Sequence, residues 1–348
     1  MKIYTVAVVG CGKGGKGIGG HSIGYAHGMD WKASPRARLV GACDLDAENL
    51  GAFCRHFEVP VGRENFLAML EEVKPEIVSI CTYAGTRPSL VEACAKAGVK
   101  GIWCEKPFAL SMDAARKMVD QCDEYGMKMI VNHCRRPLAI FCRVRDLLCE
   151  GKIGEPMFFA GSLENWDQME WGTHWHDIFR FWAGDQPVTW VMGQARSTGA
   201  RTGYGHIIEE HSLGYYSFAD GTRALLDGGV KFRGDNILSV FGTEGVLHIK
   251  RDNHVVLINH EGLLEVSDLG SPHPPAYGSE LSLRVPHSLL DWLEGGTEPE
   301  LSAANALKST EVYLAVYESA KRGDRIDLPL ARQGDFPLNA VAARQKNP

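Results

Sequence analysis

The first 130 residues alternate between short apolar runs and helix-like stretches, and this alternation restricts the fold more than any other feature of the sequence. The apolar runs have the length of buried strands and are Tyr4–Val9, Leu39–Cys43, Ile77–Cys81, Gly101–Cys104 and Lys128–Val131. Helix-like stretches separate them, and the last of these is bounded by a capping Ser111 and by Gly126. Strands that alternate with helices predict a parallel sheet covered on both faces.

The pattern changes after about residue 135, where alternating apolar and polar residues become frequent. The strand-like runs in this part are 156–165, Val188–Ala195, His211–Phe218, Arg223–Val230, Asn236–Phe241, Val246–Ile249 and Val255–Asn259. Consecutive strands with short connections predict a large antiparallel sheet. The fold class is therefore α/β: a doubly wound, Rossmann-like domain (1–134), an α+β domain (135–332) and a C-terminal tail (333–348), expected to be an arm or a disordered end.

Composition and charge exclude several classes of function. The formal net charge is −6, which does not favour nucleic acid or an anionic membrane as a partner. No apolar run approaches the roughly 18 residues of a membrane span, and the N-terminal residues read as a strand rather than a signal peptide. All ten cysteines lie between Cys11 and Cys149, without a C-x-x-C pair. We therefore expect reduced thiols and a cytoplasmic protein.

A glycine-rich segment, VAVVGCGKGGKGIGGHSIGYAHGMD (6–30), follows the first strand. A dinucleotide-binding turn requires G-x-G-x-x-G between a strand and a helix, with an acid about 20 residues later. Gly10 and Gly12 provide the first two glycines, and Asp44 ends the second strand. Counting back 20 residues from Asp44 reaches Gly24, so we interpret Gly24, rather than Gly15, as the third glycine, after an insertion of about nine residues.

The position of Asp44 favours NAD over NADP as the cofactor. A carboxylate at the end of the second strand accepts hydrogen bonds from the ribose hydroxyls and repels a 2′-phosphate. Lys13 and Lys16 lie in the insertion, where they either reach a phosphate or remain solvated, and the solvated alternative is favoured.

Two further segments carry polar groups suited to chemistry. GIWCEKPFAL (101–110) places Lys106 just beyond the end of a parallel strand, where the cofactor crevice is expected. In NWDQMEWGTHWHDIFRFWAG (165–184), His174 and Asp177 are three residues apart and share a helix face, and Glu170 precedes His174 by four residues. The alternative for this segment is an amphipathic helix whose acids are solvated and whose aromatic side chains are core.

These motifs together resemble the Gfo/Idh/MocA family of nicotinamide-dependent oxidoreductases over about residues 3–330. The matching segments are G-x-x-H (Gly24 to His27), Asp44, SICT (Ser79–Thr82), CEKP (Cys104–Pro107), G-x-H-x-x-D (Gly172 to Asp177), FGTEG (Phe241–Gly245) and YESAKRGDRIDLPL (Tyr317–Leu330). The sequence departs from the family pattern where Tyr83 replaces a proline, Arg87 replaces a histidine and Glu170 replaces an aspartate.

The resemblance implies an NAD-dependent dehydrogenase acting on a secondary hydroxyl of a sugar, inositol or related cyclic polyol. It implies Lys106 beside the nicotinamide and the substrate hydroxyl, and His174 as an acid/base assisted by Asp177. Whether His174 or Lys106 moves the proton stays open. It further implies homodimers or homotetramers built through the second sheet. The remaining candidates are Thr82 and Glu105 for the cofactor, and Glu170, Trp166, Trp171 and Trp175 for the substrate.

Three other functions fit parts of the sequence. His174, His176 and Asp177 resemble a metal site, although histidines two apart diverge on a helix, and we expect no metal. An enzyme that retains NAD and cleaves or epimerises a glycoside through transient oxidation would use the same groups. A non-catalytic ligand sensor would not need Lys106 and His174.

Overall fold

The computed structural model describes residues 2–14, 22–230, 236–250, 254–266, 270–271, 273 and 275–346. The chain divides into two compact units. The first comprises residues 1–109, 114–132 and 275–306, and the second comprises 110–113, 133–274 and 307–348.

The first unit is built on a six-stranded parallel sheet with strand order β3-β2-β1-β4-β5-β6. Its strands and the helices between them are β1 (Tyr4–Val9), α1 (Ile23–Ala33), β2 (Ala37–Cys43), α2 (Ala47–Phe57), β3 (Val61–Arg63), α3 (Phe66–Val73), β4 (Ile77–Ile80), α4 (Arg87–Lys96), β5 (Gly101–Cys104), α5 (Met112–Tyr125) and β6 (Lys128–Val131). The parallel sheet predicted from the sequence is confirmed. The prediction missed β3, which has only three residues.

Burial and capping explain why these segments take these conformations. Val6, Val78 and Ile102 on the central strands are completely buried, and each such side chain stabilises the fold by about 1.5–3 kcal/mol. The Asp46 side chain accepts a hydrogen bond from the Asn49 N–H at 2.9 Å and so caps α2.

The second unit is built on a nine-stranded sheet with order β16-β15-β14-β13-β7-β12-β11-β8-β17. Its elements are α6 (Ala139–Cys149), β7 (Pro156–Glu164), α7 (Gly172–Trp182), β8 (Val188–Arg196), β9 (Thr202–Gly203), β10 (His206–Ile207), β11 (His211–Phe218), β12 (Arg223–Val230), β13 (Asn236–Gly242), β14 (Gly245–Lys250), β15 (Val255–Asn259), β16 (Gly262–Val266), α9 (Ala303–Arg322), β17 (Ile326–Asp327) and α10 (Pro337–Lys346). The sheet is antiparallel except for the β7–β12 pair, which is parallel.

Two helices lie close to this sheet. The Phe179 ring on α7 stacks on Phe159 of β7 with ring centroids 5.7 Å apart. On α9, the Val316 carbonyl approaches Gly193 of β8 so closely that a Cβ on Gly193 would lie 2.2 Å from its oxygen. A glycine at this position therefore allows α9 to pack directly on the strand.

The segment 275–306 belongs to the first unit, whereas the sequence-based boundary placed it in the second domain. It contains α8 (Glu280–Leu293), whose Leu293 side chain would be 3.0 Å from a Cβ on Gly101. The N–H of Val131 also donates to the Leu301 carbonyl at 2.8 Å, so this segment adjoins the edge strand β6. Helix α8 begins at Glu280, where the Ser279 side chain caps it by accepting a hydrogen bond from the Ser282 N–H at 3.2 Å.

The expectation of a C-terminal arm or disordered end is wrong for the described part of the tail. Residues Pro337–Lys346 form α10, and Phe336, Leu338 and Val341 are buried in the core of the second unit. The Gln345 side chain also donates to the Ala195 carbonyl at 3.0 Å at the end of β8. The tail is therefore an integral part of the second unit.

A substitution in α10 tests this packing. We expect Leu338→Ala to lower the free energy of unfolding by about 2–5 kcal/mol, because Leu338 is completely buried and its removal leaves a cavity. Urea denaturation followed by circular dichroism measures the change. Asn339→Ala, at an exposed position on the same helix, is the control. Equal stability of the two variants would contradict the role of α10 in the core.

Candidate active site

The turn after β1 leaves no room for side chains. Gly10 and Gly12 have φ values of 85° and 64°, which glycine adopts without strain. A Cβ on Gly10 would lie 2.9 Å from Thr82 Cγ2, and a Cβ on Gly24 would lie only 2.4 Å from the Gly10 carbonyl oxygen. The first turn of α1 therefore lies directly against the β1 turn, with Gly24 at the contact. This fits a dinucleotide cradle, in which the backbone and a helix N-terminus face the pyrophosphate.

The alternative third glycine, Gly15, and Lys16 lie outside the described residues.

Asp44 follows the end of β2 and is tied to the glycine turn. Its Oδ2 accepts a hydrogen bond from the Gly12 N–H at 2.7 Å, and its Oδ1 accepts one from the Asp46 N–H at 2.9 Å. The carboxylate is half-exposed. It is therefore held in one orientation next to the cradle.

Lys106 and Glu105 follow the end of β5 and have different surroundings. Lys106 is half-buried, whereas Glu105 is 4% exposed. The Glu105 carboxylate accepts hydrogen bonds from His27 Nε2 at 3.0 Å, from the Asn132 side chain and from the Lys106 N–H at 3.2 Å. Burial raises the pKa of Glu105, but His27, Lys106 and Asn132 together outweigh it through hydrogen bonds and charge, and the net shift is downward.

His27 and Asn132 are the partners of Glu105 that the site prediction did not include. The His27 ring is completely buried and stacks on Trp103 with centroids 3.5 Å apart. A carboxylate can only accept, so His27 Nε2 carries the proton of this contact. The G-x-x-H pattern contained the signal for His27, but nothing in the sequence paired Asn132 with Glu105.

In the second unit, all eleven residues of α7 are buried. His174 lies near its N-terminus, with its ring centroid 6.3 Å from that of Trp171 and 6.0 Å from that of His133. His133 Nε2 is within hydrogen-bond distance of the Thr173 hydroxyl, at 3.0 Å. His133 is therefore a second imidazole near His174, and the sequence prediction missed it.

Asp177 lies on the same helix but belongs to a buried cluster of charges. Its carboxylate accepts two hydrogen bonds from Arg136 at 3.0 Å and one from the Ser309 hydroxyl at 2.9 Å. Arg180 NH1 lies 3.7 Å away, and Arg136 and Arg180 both contact Asp185 as well. Burial would raise the pKa of Asp177, but the charges of Arg136 and Arg180 hold it well below its usual range.

This arrangement gives Asp177 a different surrounding from the one expected. Among the described residues, its carboxylate contacts Arg136, Arg180, Ser309 and, at 3.9 Å, His133 Nδ1, but not His174. Asp177 therefore does not set the tautomer of His174 through a direct contact.

Glu170 pairs with a histidine from a small hairpin. Strands β9 and β10 are joined by Tyr204 and Gly205, whose φ values of 52° and 79° are those of a two-residue hairpin turn. The turn places His206 Nε2 3.1 Å from Glu170 Oε1, with both side chains buried. The contact does not have the geometry of a hydrogen bond, and it becomes an ion pair only when His206 is protonated. The sequence prediction missed His206.

His176 points into a different environment from His174. Its Nε2 lies 2.9 Å from the Gln168 Oε1 and its Nδ1 lies 3.1 Å from the Tyr216 hydroxyl. Burial lowers the pKa of His176 to about 3, so the ring is neutral. In the described ranges, no three His, Cys, Asp or Glu side chains converge as metal ligands.

The three candidate tryptophans fall into two groups. Trp166 and Trp171 are half-buried, with ring centroids 5.0 Å apart. Trp175 is only 5% exposed and packs against Phe141, with the Arg135 guanidinium 4.7 Å from its ring centre. Trp166 and Trp171 thus retain accessible ring surface, whereas Trp175 is part of the core.

Comparison with known proteins agrees with the geometry of the first unit. Residues 4–133 match a family model described as an oxidoreductase family with an NAD-binding Rossmann fold, GFO_IDH_MocA. The N-terminal part of the chain is thus similar to the NAD-binding domain of the Gfo/Idh/MocA family. The first unit is therefore an NAD-binding domain, and the resemblance inferred from the motifs is confirmed.

The chain is also similar to individual sugar and inositol dehydrogenases. A D-apiose dehydrogenase from Paraburkholderia graminis is 28% identical over 94% of this chain and 90% of its own length. An inositol 2-dehydrogenase from Rubrobacter xylanophilus is 34% identical over 47% of this chain and 44% of its own length. The fold is shared with an oxidoreductase from Agrobacterium radiobacter solved with NAD+, L-tartaric acid and magnesium, at a TM-score of 0.77 and 22% identity over 93% of this chain and 98% of that one.

No helix in the described part of the chain has both the length and the apolar character needed to cross a membrane.

The close contact at Gly24 predicts a loss of cofactor affinity on substitution. We expect Gly24→Ala to raise the Kd for NADH at least about tenfold, because its Cβ would collide with the Gly10 carbonyl and displace α1. Fluorescence titration with NADH measures the affinity. In the control, Gly51→Ala on α2, the new Cβ meets only the Arg55 side chain at 3.3 Å, and affinity should not change. Wild-type affinity in Gly24→Ala would contradict this assignment.

The buried charges around Asp177 predict a pH-dependent loss of stability. We expect Asp177→Asn to lower the free energy of unfolding at pH 7 by about 3–5 kcal/mol, since it removes one partner of a buried ion pair. The pKa of Asp177 is depressed in the folded state, so its contribution is present above the unfolded pKa of about 3.9 and is lost as the pH falls.

Urea denaturation at pH 7 and at about pH 3 measures this difference. The gap between the wild type and Asp177→Asn should narrow at the lower pH. Asp120→Asn, at an exposed position on α5, is the control and should follow the wild type at both pH values. A gap independent of pH would show that the ion pair does not carry the effect.

Proposed function

We propose that this protein is an NAD-dependent dehydrogenase that acts on a secondary hydroxyl of a sugar, inositol or related cyclic polyol. The observation that carries the proposal is the arrangement in the first unit, where the glycine turn, Asp44 and Lys106 follow the ends of β1, β2 and β5. Parallel strands end at the same edge of a sheet, which is where such folds bind dinucleotides. The substrate class comes from the D-apiose and inositol dehydrogenases named above.

Bound NAD supplies a hydride acceptor at the nicotinamide. The substrate C–H bond breaks with its electron pair, and the hydroxyl oxygen loses a proton as the C=O bond forms. We assign the proton to His174 as general base, since an imidazole suits proton transfer near neutral pH. The Lys106 ammonium donates a hydrogen bond to the same oxygen and stabilises its developing negative charge.

Glu170 and the tryptophans have supporting roles in this proposal. The Glu170–His206 contact fixes the carboxylate so that it can accept hydrogen bonds from neighbouring substrate hydroxyls. Trp166 and Trp171 offer apolar ring faces to the C–H bonds of a sugar. Asp177 acts as a positioning residue through Arg136, because its carboxylate is already occupied.

Assembly through the open face of the second sheet is part of the proposal. Phe158, Phe241, Val246, Ile258 and Leu263 stand opposite one another across the neighbouring strands β7, β13, β14, β15 and β16. Phe241, Ile258 and Leu263 are 39%, 40% and 65% exposed. This apolar row supports a homodimer or homotetramer.

A cytoplasmic location is also proposed. All ten cysteines are within the described ranges, and none forms a disulfide. That usage is typical of a reducing compartment.

The first experiment mixes the purified protein with NAD and a panel of pentoses, hexoses, inositols and anhydrosugars, and follows NADH absorbance. We expect NADH formation with a cyclic polyol or sugar, and a smaller rate with NADP because of Asp44. Lys106→Ala and His174→Asn should each lower kcat/KM by about 10²–10⁴-fold. Lys96→Ala, an exposed lysine on α4, should have no effect.

The kinetic measurements also distinguish the roles of His174 and Lys106 and test the alternative functions. If His174 takes the proton, His174→Asn removes the acidic limb of the pH profile, and Lys106→Ala preserves it. Turnover of a glycoside without net NADH would replace the proposal by the NAD-retaining glycosidase or epimerase, which the named relatives do not favour. NADH binding without turnover of any compound would indicate a sensor.

A further inference from the structure

Arg87 is a buried cation that the function above does not use. It begins α4 and is 3% exposed. Its guanidinium donates to three backbone carbonyls: that of Thr82 at 3.1 and 2.7 Å, that of Lys106 at 3.3 Å, and that of Pro107. One side chain thus joins the segments that follow β4 and β5.

The other side of the Lys106 backbone is held by Glu105. The Lys106 N–H donates to the Glu105 carboxylate at 3.2 Å. Glu105 cannot turn away freely, because His27 and Asn132 bind the other oxygen of its carboxylate. Both polar groups of the Lys106 backbone, its N–H and its C=O, are therefore bonded to buried and charged side chains.

The donor pattern of Arg87 suits this task better than that of other cations. A guanidinium presents five N–H donors in a planar fork, whereas an ammonium has three donors on a single nitrogen. Among the described residues, the contacts of Arg87 are carbonyl oxygens rather than a carboxylate. Burying a charge without an opposite charge is costly, and the carbonyl dipoles of these segments compensate it. This free-energy cost of burying Arg87 is consistent with a requirement for a fixed backbone geometry at Lys106.

We propose that Arg87 and Glu105 form a clamp, defined by these two residues, that positions Lys106 for the reaction. The inference rests on the proposed role of Lys106 in catalysis and adds Arg87 as a positioning residue. The Lys106 side chain begins at a Cα whose two flanking peptide groups are fixed by the clamp. A displacement of about 1 Å at a reacting group costs about 100-fold in rate, so a loosened clamp should affect turnover.

Amide hydrogen exchange tests the clamp independently of activity. In Arg87→Lys and Arg87→Ala, the peptide covering residues 101–110 should exchange at least about tenfold faster, because the Lys106 segment opens locally. Peptides from β1 and β2 should keep wild-type rates. Wild-type exchange at 101–110 in both variants would overturn the clamp, whether or not the protein proves to be a dehydrogenase.

Kinetics then test the consequence for catalysis. We expect Arg87→Lys to lower kcat by about 100-fold, with a smaller effect on the KM for the sugar. Guanidinium chloride at millimolar concentration should partly restore kcat in Arg87→Ala by refilling the cavity, and should not change the kcat of Arg55→Ala, an exposed control on α2. A normal kcat in Arg87→Lys would overturn the positioning role.

A parallel Lys106→Ala variant keeps the two proposals distinguishable. Loss of activity in Lys106→Ala together with a normal kcat in Arg87→Lys rejects the clamp and retains the proposed function. Full activity in Lys106→Ala rejects the proposed role of Lys106, and with it the positioning role. If Arg87→Ala does not fold, Arg87→Lys carries both the exchange and the kinetic measurements.

Discussion

The six strands of the first sheet are parallel, and the loops after their carboxyl ends meet at one edge of that sheet. Gly10 follows β1, Asp44 follows β2, Thr82 follows β4 and Lys106 follows β5. The sheet thereby collects groups that are up to 96 residues apart in sequence. Each is then fixed by short contacts at that edge: the Gly12 N–H on Asp44, and Glu105 and Arg87 on Lys106. A parallel sheet thus supplies the placement, and a few buried polar groups supply the orientation.

Helix α7 poses a different physical problem, because a helix buried on all sides must neutralise its own polar groups. It does so in three ways. His176 stays neutral between Gln168 and Tyr216. Asp177 stays charged and is surrounded by arginines. Just before the helix, Glu170 Oε1 lies 3.1 Å from His206 Nε2. The side chains that neighbour His174 in sequence are thereby held in fixed positions, which is the condition for pre-organising the acid/base that we propose.

Much of the fold was predictable, because local patterns determine it. Apolar runs and caps located five of the six parallel strands, and the spacing between Asp44 and Gly24 selected the glycine that the structure places on the β1 turn. The features that the sequence did not predict are short elements, or they depend on contacts between residues far apart in sequence. Strand β3 has three residues, too few for a periodicity. The α10 helix has a weak apolar pattern and owes its order to burial of Leu338 and Val341. The β7–β12 pair is parallel because these two strands run in the same direction. No local pattern of residues encodes the direction in which a strand joins a sheet.

The candidate site was predictable only in part, for the same reason. Lys106, His174 and Glu170 stand in recognisable motifs, but neighbours of the latter two, His133 and His206, do not. Arg136 lies 41 residues from Asp177 in sequence, and no pattern links them. Helix spacing alone identifies a shared face of α7 but not the groups that this face meets, so the arginine partners of Asp177 were not predicted.

The hairpin that carries His206 is an excursion between Arg196 and His211, which pair directly across β8 and β11. Because the ladder closes at that pair, the β9–β10 hairpin can change in length without altering the register of β8 and β11. The base of the segment is tied to the scaffold, because Glu209 is buried and bonded to Gln168, Ser212 and Tyr317. On the proposed role of Glu170, exchange of the β9–β10 hairpin alone changes the surroundings of a substrate-facing carboxylate while the register of β8 and β11 is kept.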